Sequence, residues 1–394
     1  MYKHHINKAK EKMRYQRKLP IFTAIAALAL ICGCVYPSYE GDEFTLEEQQ
    51  SVWQYLKVYS IYHERLPKTA GFMTPYDMFR AINDSLGGGR YTEYIDDRPG
   101  GGAMFDPNTK FHDPQLLTAD SSTMYFRLPE FSDTALEYFI LNLRKLSRYP
   151  NLIIDVRRNG GGLLSVTDSI LGELLPYDTP YIKNRYRRYN NLEYVGETTE
   201  DTSRTTTRNP HLLNLDGRPK RIAVLMNDRS ASASEILAAG LKDAAGAYLI
   251  GGRSYGKGIG QVIINRDGRK RISITFLEIQ GITDRTGLYH KVGIKPDNVP
   301  QEIINEALER WPDAGSQYVR ELYYALKMLE PEVTLNPDEG GDALAEKLNS
   351  VTAAVYGGAV AVKAAWRPMG AVVVDEKDLP IKKDFDFYVN FNLP

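Results

Sequence analysis

Two short and almost wholly apolar segments, each followed by a segment with helical spacing, constrain the fold of this chain most. "NLIIDVR" begins at Asn151 and "RIAVLMN" begins at Arg221, and their cores lack the polar–apolar alternation of a half-exposed strand. Such runs are typical of parallel strands that are covered on both faces. Strands and helices alternate from about Ser121 to Gly252, which is the pattern of right-handed crossover units. The sequence therefore predicts an α/β fold built on a buried parallel sheet.

Outside this core, the chain divides into regions of different composition. Residues 45–86 have helical spacing, whereas residues 87–114 are rich in Gly, Pro and Asp and are predicted to be loops. Residues 176–220 are polar with little periodicity, which indicates a long insertion or a hairpin lid. We predict a signal peptide at 1–33, a tether and N-terminal helical region at 34–115, the core at 116–300, C-terminal helices at 301–333 and a small C-terminal appendage of unknown role at 334–394.

The first 34 residues have the order of a secretory signal. Seven Lys or Arg and one Glu precede an apolar run that starts at Ile21 and ends in "ICGC". The run is short for a permanent bilayer span. Its end resembles the lipobox of bacterial lipoproteins, which makes Cys34 the predicted lipidation site, although Cys32 stands where a small residue is usual. A cleaved signal without lipidation and an uncleaved membrane anchor are the alternatives.

The composition of the remaining chain narrows the partners and cofactors. The whole chain has 49 basic and 50 acidic residues, so removing the basic leader leaves an acidic protein, which argues against a nucleic-acid partner. Both cysteines lie in the leader, so no disulfide framework is expected. The histidines at 63, 112, 211 and 290 lack metal-ligand spacing, and we predict neither a metal nor another cofactor.

The segment Ser230–Gln261 contains four serines and one lysine surrounded by glycines. The first three serines follow a predicted strand and open a predicted helix, where unpaired N–H groups and the helix dipole favour developing negative charge. Serines before a helix also commonly act as caps, so a structural role stays open. Lys257 in "GKG" would lose its proton more easily if it were buried, and Gln261 follows four residues later. An exposed basic turn is the alternative.

A third segment, "LIIDVRRNGGG", ends a buried strand in an Asp-x-Arg pair, Asn159 and three glycines. Consecutive glycines let the backbone approach another group closely, as an oxyanion donor must. A tight turn into the next helix explains the same residues without any catalysis.

Together, "NLIIDVRRNGGG", "VLMNDRSASASEILAAGLKDAAGAYLIGGRSYGKGIGQ" and "VGIKPDNVP" resemble the C-terminal processing (tail-specific) serine peptidases. The resemblance implies a crotonase/Clp-protease-like β-β-α core and a catalytic Ser-Lys dyad. It assigns Ser232 as the nucleophile, Lys257 as the general base and Gln261 as the residue that orients the base. It also assigns the N–H groups of Ala233 and Gly161 as oxyanion donors and Glu235 as a supporting carboxylate.

The resemblance implies a serine endopeptidase of the cell envelope, which cleaves polypeptides through an acyl-enzyme and needs no cofactor. With Cys34 lipidated, the protein would be anchored to a membrane, in the periplasm or at the outer membrane. Val35 favours the outer membrane, because the aspartate that commonly marks inner-membrane retention is missing. The chain departs from the family at several points, which include the 176–220 segment and the C-terminal appendage. Residues 87–114 are too few for a PDZ domain, and Gly160 replaces a common proline.

Two other functions are compatible with parts of the sequence. "GRSYG" around Ser254 matches the nucleophile elbow of α/β-hydrolases, but that elbow needs a helix immediately afterwards, and a strand-like segment follows here. The second alternative is a binding or scaffold lipoprotein that has the peptidase fold and no hydrolytic activity. Retention of Ser232, Lys257 and Gln261 together argues against it.

Overall fold

A computed structural model describes most of the chain beyond the leader. The described residues are 45–66, 68, 74–83, 93–96, 109–117, 122–187, 198–214, 216–265, 270–333, 343–356 and 371–375. The chain divides into two units, Met1–Leu46 and Glu47–Pro394, and both β-sheets lie within the second. The predicted signal peptide and Cys34 lie outside the described residues. Among the helices that the structure describes, none is long and apolar enough to cross a bilayer.

Helices and strands alternate through the middle of the chain, as the apolar pattern predicts. The described helices are α1 (Leu46–Tyr59), α2 (Pro75–Asn83), α3 (Asp133–Leu146), α4 (Leu164–Leu174), α5 (Ala233–Ala245), α6 (Gln301–Arg310), α7 (Gln317–Leu329) and α8 (Ala343–Tyr356). The described strands are β1 (Glu93–Asp96), β2 (Gln115–Leu116), β3 (Thr123–Arg127), β4 (Asn151–Asp155), β5 (Pro180–Arg187), β6 (Thr198–Arg204), β7 (Arg221–Met226), β8 (Tyr248–Gly251), β9 (Ile259–Asn265), β10 (Lys270–Gln280) and β11 (Ala371–Asp375).

The first sheet has the strand order β2-β3-β4-β7-β8, and all its pairs are parallel except β2 with β3. Alternate residues of β4 enter two different cores. Leu152 and Ile154 join the core that contains α5, whereas Ile153 joins the core that contains α7. Because both faces are covered, apolar area is buried, and each Å² of it stabilises the fold by about 25 cal/mol. The predicted α/β fold with a buried parallel sheet is therefore correct.

The register of this sheet positions the candidate site. Asp155 at the end of β4 is paired with Leu225 near the end of β7. The carboxyl ends of parallel strands meet at one edge of a sheet, so the turn after β4 lies beside the turn after β7. Two segments that are about seventy residues apart in sequence are thereby brought together.

The second sheet is formed by segments that come before, within and after the sequence of the first sheet. Its order is β11-β9-β10-β5-β6, and β1 also pairs with β10. Strands β5 and β6 of the 176–220 segment form an antiparallel hairpin, which joins this sheet through β10. Our prediction that 87–114 is all loop is wrong, because Glu93–Asp96 forms β1. The Gly- and Asp-rich residues on both sides predict a loop, whereas the strand forms because it pairs with β10, which is distant in sequence.

The C-terminal region is integrated into the fold where the structure describes it. Leu344, Leu348 and Val351 of α8 lie in the same core as Leu322 and Leu326 of α7. Strand β11 pairs in parallel with β9. Residues 343–356 and 371–375 are therefore structural parts of the domain, although our sequence boundaries set them apart as an appendage.

Candidate active site

Ser232 lies at a strained turn between β7 and α5. It precedes the first residue of α5, and its backbone has φ 56° and ψ −113°. A side chain rarely adopts this left-handed region, and such strain clusters at functional sites. The residue is 1% exposed. Ala233 follows at the first helical position, where the N–H has no intrahelical partner. The turn therefore presents a serine and an amide donor together.

The other three serines of the segment donate their hydroxyl protons to fixed acceptors. Ser230 Oγ donates to the Val156 carbonyl at 2.8 Å, and Ser234 Oγ donates to the Asn159 carbonyl at 2.9 Å. Ser254 Oγ donates to Glu235 Oε1 at 2.6 Å. These bonds give Ser230, Ser234 and Ser254 structural roles. No helix follows Ser254, since residues 255–258 lead directly into β9. The α/β-hydrolase elbow is therefore ruled out at this position.

Lys257 lies in the loop between β8 and β9 and is 2% exposed. Two glycines allow this loop to pack closely. A Cβ on Gly256, which has φ 94°, would lie 2.8 Å from the Gly293 nitrogen, and a Cβ on Gly258 would lie 2.8 Å from the Ile279 carbonyl oxygen. Burial lowers the pKa of the Lys257 amine to about 8, against a smaller opposing effect of Glu235. The lysine is therefore not an exposed basic turn, and a substantial fraction of it is neutral near pH 8.

The carboxylate of Glu235 connects the serine turn to the lysine loop. Its Oε2 accepts the backbone N–H of Ser232 at 2.9 Å and that of Lys257 at 2.7 Å. Its Oε1 accepts the N–H of Gly256 at 2.7 Å and the Ser254 hydroxyl. The Ser232 and Lys257 amides share one oxygen atom, so these two distant residues are neighbours in space. All four contacting groups are donors and favour the ionised carboxylate, whereas burial is the larger effect and raises the pKa of Glu235 above its usual value.

The turn after β4 is bonded to the serine turn through Asn159. The Asn159 carbonyl accepts the Ala231 N–H at 3.0 Å, in addition to the Ser234 hydroxyl. The Gly161 N–H, a predicted oxyanion donor, donates to Asn159 Oδ1 at 2.8 Å. Gly161 can therefore bind an oxyanion only if the Asn159 side chain moves away.

Gln261 lies on β9 and is half-buried. Its Nε2 donates to Ser273 Oγ on β10 at 2.6 Å, which fixes the amide near the start of the strand that follows the lysine loop. The role of Gln261 in orienting Lys257 stays a prediction.

Sequence reasoning missed the part that Ser254 plays in this site. We considered this residue only as an alternative nucleophile, whereas its hydroxyl donates to Glu235 and accepts the Ile294 N–H at 2.6 Å. It thereby ties the "VGIKP" segment to the carboxylate. The only sequence signal is its position three residues before Lys257, and that spacing does not reveal which side chain it meets.

Replacing Glu235 with glutamine is expected to lower kcat by about tenfold, because an amide presents a donor where only acceptors fit. The negative charge of Glu235 also raises the pKa of Lys257. The rising limb of the pH–rate profile should therefore move to lower pH in Glu235→Gln. Kinetics across pH would measure both effects, with exposed Glu302→Gln as the control. An unchanged profile would contradict this role of the carboxylate.

Part of the chain is similar in sequence to known peptidases. Residues 122–299 match the sequence profile of peptidase family S41. The chain is 30% identical over 235 residues to the carboxyl-terminal-processing protease of Synechocystis sp., covering 59% of this chain and 47% of that protein. It is 32% identical over 177 residues to the carboxy-terminal processing protease CtpB of Bacillus subtilis, covering 44% and 33%.

Among solved structures, the photosystem II D1 C-terminal processing protease matches with 24% identity and a TM-score of 0.33. The match covers 44% of this chain and 41% of that one. The chain spans less than half the length of the two curated relatives.

Proposed function

We propose that this protein is a serine endopeptidase that cleaves polypeptides through a Ser232–Lys257 dyad. One observation carries the proposal. A single buried carboxylate oxygen accepts the amides of both residues, so the strained serine and the desolvated lysine share one small region. The match of residues 122–299 to peptidase family S41 supports the same reaction.

In the proposed reaction, the neutral amine of Lys257 removes the proton from the Ser232 hydroxyl. The serine oxygen attacks a peptide carbonyl carbon, and the Ala233 N–H stabilises the negative oxygen of the tetrahedral intermediate. Lys257 then gives its proton to the leaving amine, and the acyl-enzyme forms. Water, activated by the same amine, hydrolyses the ester and restores Ser232.

The second oxyanion donor is proposed to come from the turn after β4. Gly161 is the candidate, and its use requires that substrate binding displaces Asn159 Oδ1 from the Gly161 N–H. Gln261 is proposed to orient Lys257 through its fixed amide, and the carboxylate of Glu235 holds both catalytic loops.

The location of the protein is also a proposal. The order of the leader supports export, and "ICGC" supports a lipid anchor on Cys34, which would place the enzyme at an envelope membrane facing its polypeptide substrates. The names of the two curated relatives support action near a carboxyl terminus.

The pH dependence of kcat/KM tests this proposal. The base form of Lys257 is the neutral amine, so activity should rise about tenfold per pH unit below about pH 8 and level off above it. The assay would follow cleavage of an unfolded polypeptide from about pH 6 to pH 10, together with labelling of Ser232 by a fluorophosphonate. Absence of both hydrolysis and labelling would favour the non-hydrolytic scaffold.

A further inference from the structure

The end of α8 lies on a buried ionic cluster next to the candidate site. The hydroxyl of Tyr356, the last residue of α8, donates to Asp155 Oδ2 at 3.0 Å. Asp155 ends β4, immediately before the turn that contains Asn159 and Gly161. Two residues that are 201 positions apart in sequence are thereby joined.

Asp155 is fully buried and organises this turn. Its Oδ1 accepts the backbone N–H of Arg157 at 3.0 Å, and its Oδ2 accepts Nη2 of the same arginine at 2.7 Å. The hydroxyl of Tyr125 also donates to Oδ2, at 2.8 Å. Burial alone would raise the pKa of Asp155, but the charges of Arg157 and Arg127 outweigh it and hold the pKa below its usual value. The carboxylate is therefore ionised, and each hydroxyl bond to it is charge-assisted.

The ring of Tyr356 contacts the cations of the same cluster. Its centroid lies 5.1 Å from the guanidinium carbon of Arg157 and 5.4 Å from that of Arg127. It also stacks on Tyr318 at 4.2 Å, and Tyr318 in turn covers Arg157 at 4.6 Å. Glu321 completes the cluster with an ion pair of 2.8 Å to Arg157. Tyr356 therefore restrains both the carboxylate and the guanidinium that binds it.

Movement in this cluster would be transmitted directly to the site. Arg157 is followed by Arg158, which has φ 63°, and the Arg158 N–H donates to Asn227 Oδ1 at 2.9 Å. Asn159 comes next, with its bonds to Ala231 and to the Gly161 N–H. Each step is a backbone link or a hydrogen bond between buried or half-buried groups, so the turn has little freedom to absorb a shift.

We propose that Tyr356 is a positioning residue, which fixes the turn after β4 relative to Ser232 through Asp155 and Arg157. The inference rests on the proposed function and adds α8 to the machinery that aligns the oxyanion donors. It also gives a role to the C-terminal region that the family profile does not cover. The effect belongs to the chemical step, since Tyr356 acts through other residues and need not contact the substrate.

A graded pair of variants tests this proposal. Tyr356→Phe keeps the ring and loses the bond to Asp155, so kcat per titrated active site should fall about threefold. Tyr356→Ala also loses the ring contacts, so kcat should fall about thirtyfold, because small misplacements of catalytic groups cost up to a hundredfold. KM should change by less than about twofold in both variants. Fluorophosphonate titration supplies the active-site concentration, which removes the effect of unfolded protein.

Asn349→Ala is the matched control. It lies on the same helix and loses a hydrogen bond of 3.0 Å from Trp311 to α8, without touching Asp155. Its kcat should equal that of the wild type. If all three variants lose the same fraction of kcat, or if Tyr356→Phe and Tyr356→Ala keep the wild-type value, Tyr356 is only a structural contact and the inference fails. A wild-type protein that neither hydrolyses polypeptides nor reacts with the probe would instead overturn the proposed function, and this inference with it.

Discussion

Replacing Lys257 with methionine is expected to abolish polypeptide hydrolysis and to stabilise the fold at the same time. The lysine is 2% exposed, and burial lowers its pKa from 10.5 to about 8. Holding a charged amine in that environment costs about 3 kcal/mol below pH 8, since one pKa unit corresponds to about 1.4 kcal/mol. Methionine has a similar length and carries no charge. Removal of the base should lower kcat by at least about 10³-fold.

The sign of the stability effect follows from linkage. The folded-state pKa is below the unfolded-state value, so the unfolded chain binds more protons between about pH 8 and pH 10.5. The wild type should therefore gain stability as pH rises through this window. The advantage of Lys257→Met, about 2 kcal/mol after loss of the amine's own contacts, should be full below pH 8. It should decrease as pH rises toward 10.5 and then reverse, because only the lost contacts remain.

Urea unfolding of the wild type and of Lys257→Met at several pH values would measure this difference. Exposed Lys183→Met on β5 is the control and should change neither activity nor stability. A Lys257→Met protein that is less stable than the wild type at pH 7 would show that the amine is paired well enough to offset its burial. A variant that still hydrolyses polypeptide would show that another group is the base.

The sequence could predict the parts of this fold that depend on local pattern. The apolar runs of β4 and β7 indicated buried parallel strands because both faces of those strands are covered. Serine is a common cap before a helix, and the side chain of Ser132, which precedes α3, accepts the Ala135 N–H at 3.1 Å. By contrast, β1 could not be predicted, because four residues between glycine-rich segments become a strand only by pairing with β10.

The site shows the same division between local and distant information. The motif segments nominated Ser232 and Lys257, and the shared contact to Glu235 explains how residues 25 positions apart can act together. The Asn159 side chain on the Gly161 N–H was not foreseeable, since nothing in "RRNGGG" says which way the amide turns. The contact of Tyr356 with Asp155 depends on how α8 packs against α7, and this packing cannot be predicted from the spacing of residues along the chain.

Replacing Ser232 with alanine should lower kcat by about 10⁴-fold or more, because the reaction then lacks the oxygen that forms the acyl-enzyme. The neighbouring serines provide a contrast. Ser254→Ala should be impaired far less, since its hydroxyl supports Glu235 and the Ile294 N–H and does not attack the substrate. Ser169→Ala on α4 should be unaffected. Mass spectrometry after fluorophosphonate treatment would identify the labelled residue, which should be Ser232 alone.

The backbone of Ser232 makes a second, independent measurement possible. At φ 56° a Cβ atom is strained, so Ser232→Gly should be more stable than Ser232→Ala by about 1 kcal/mol, while both are inactive. Such a result would mean that the wild type maintains a costly backbone conformation at the one hydroxyl that the proposed catalysis requires. Equal stability of the two variants would show that the turn is not strained. Residual hydrolysis above about one hundredth of the wild-type rate would show that another residue is the nucleophile.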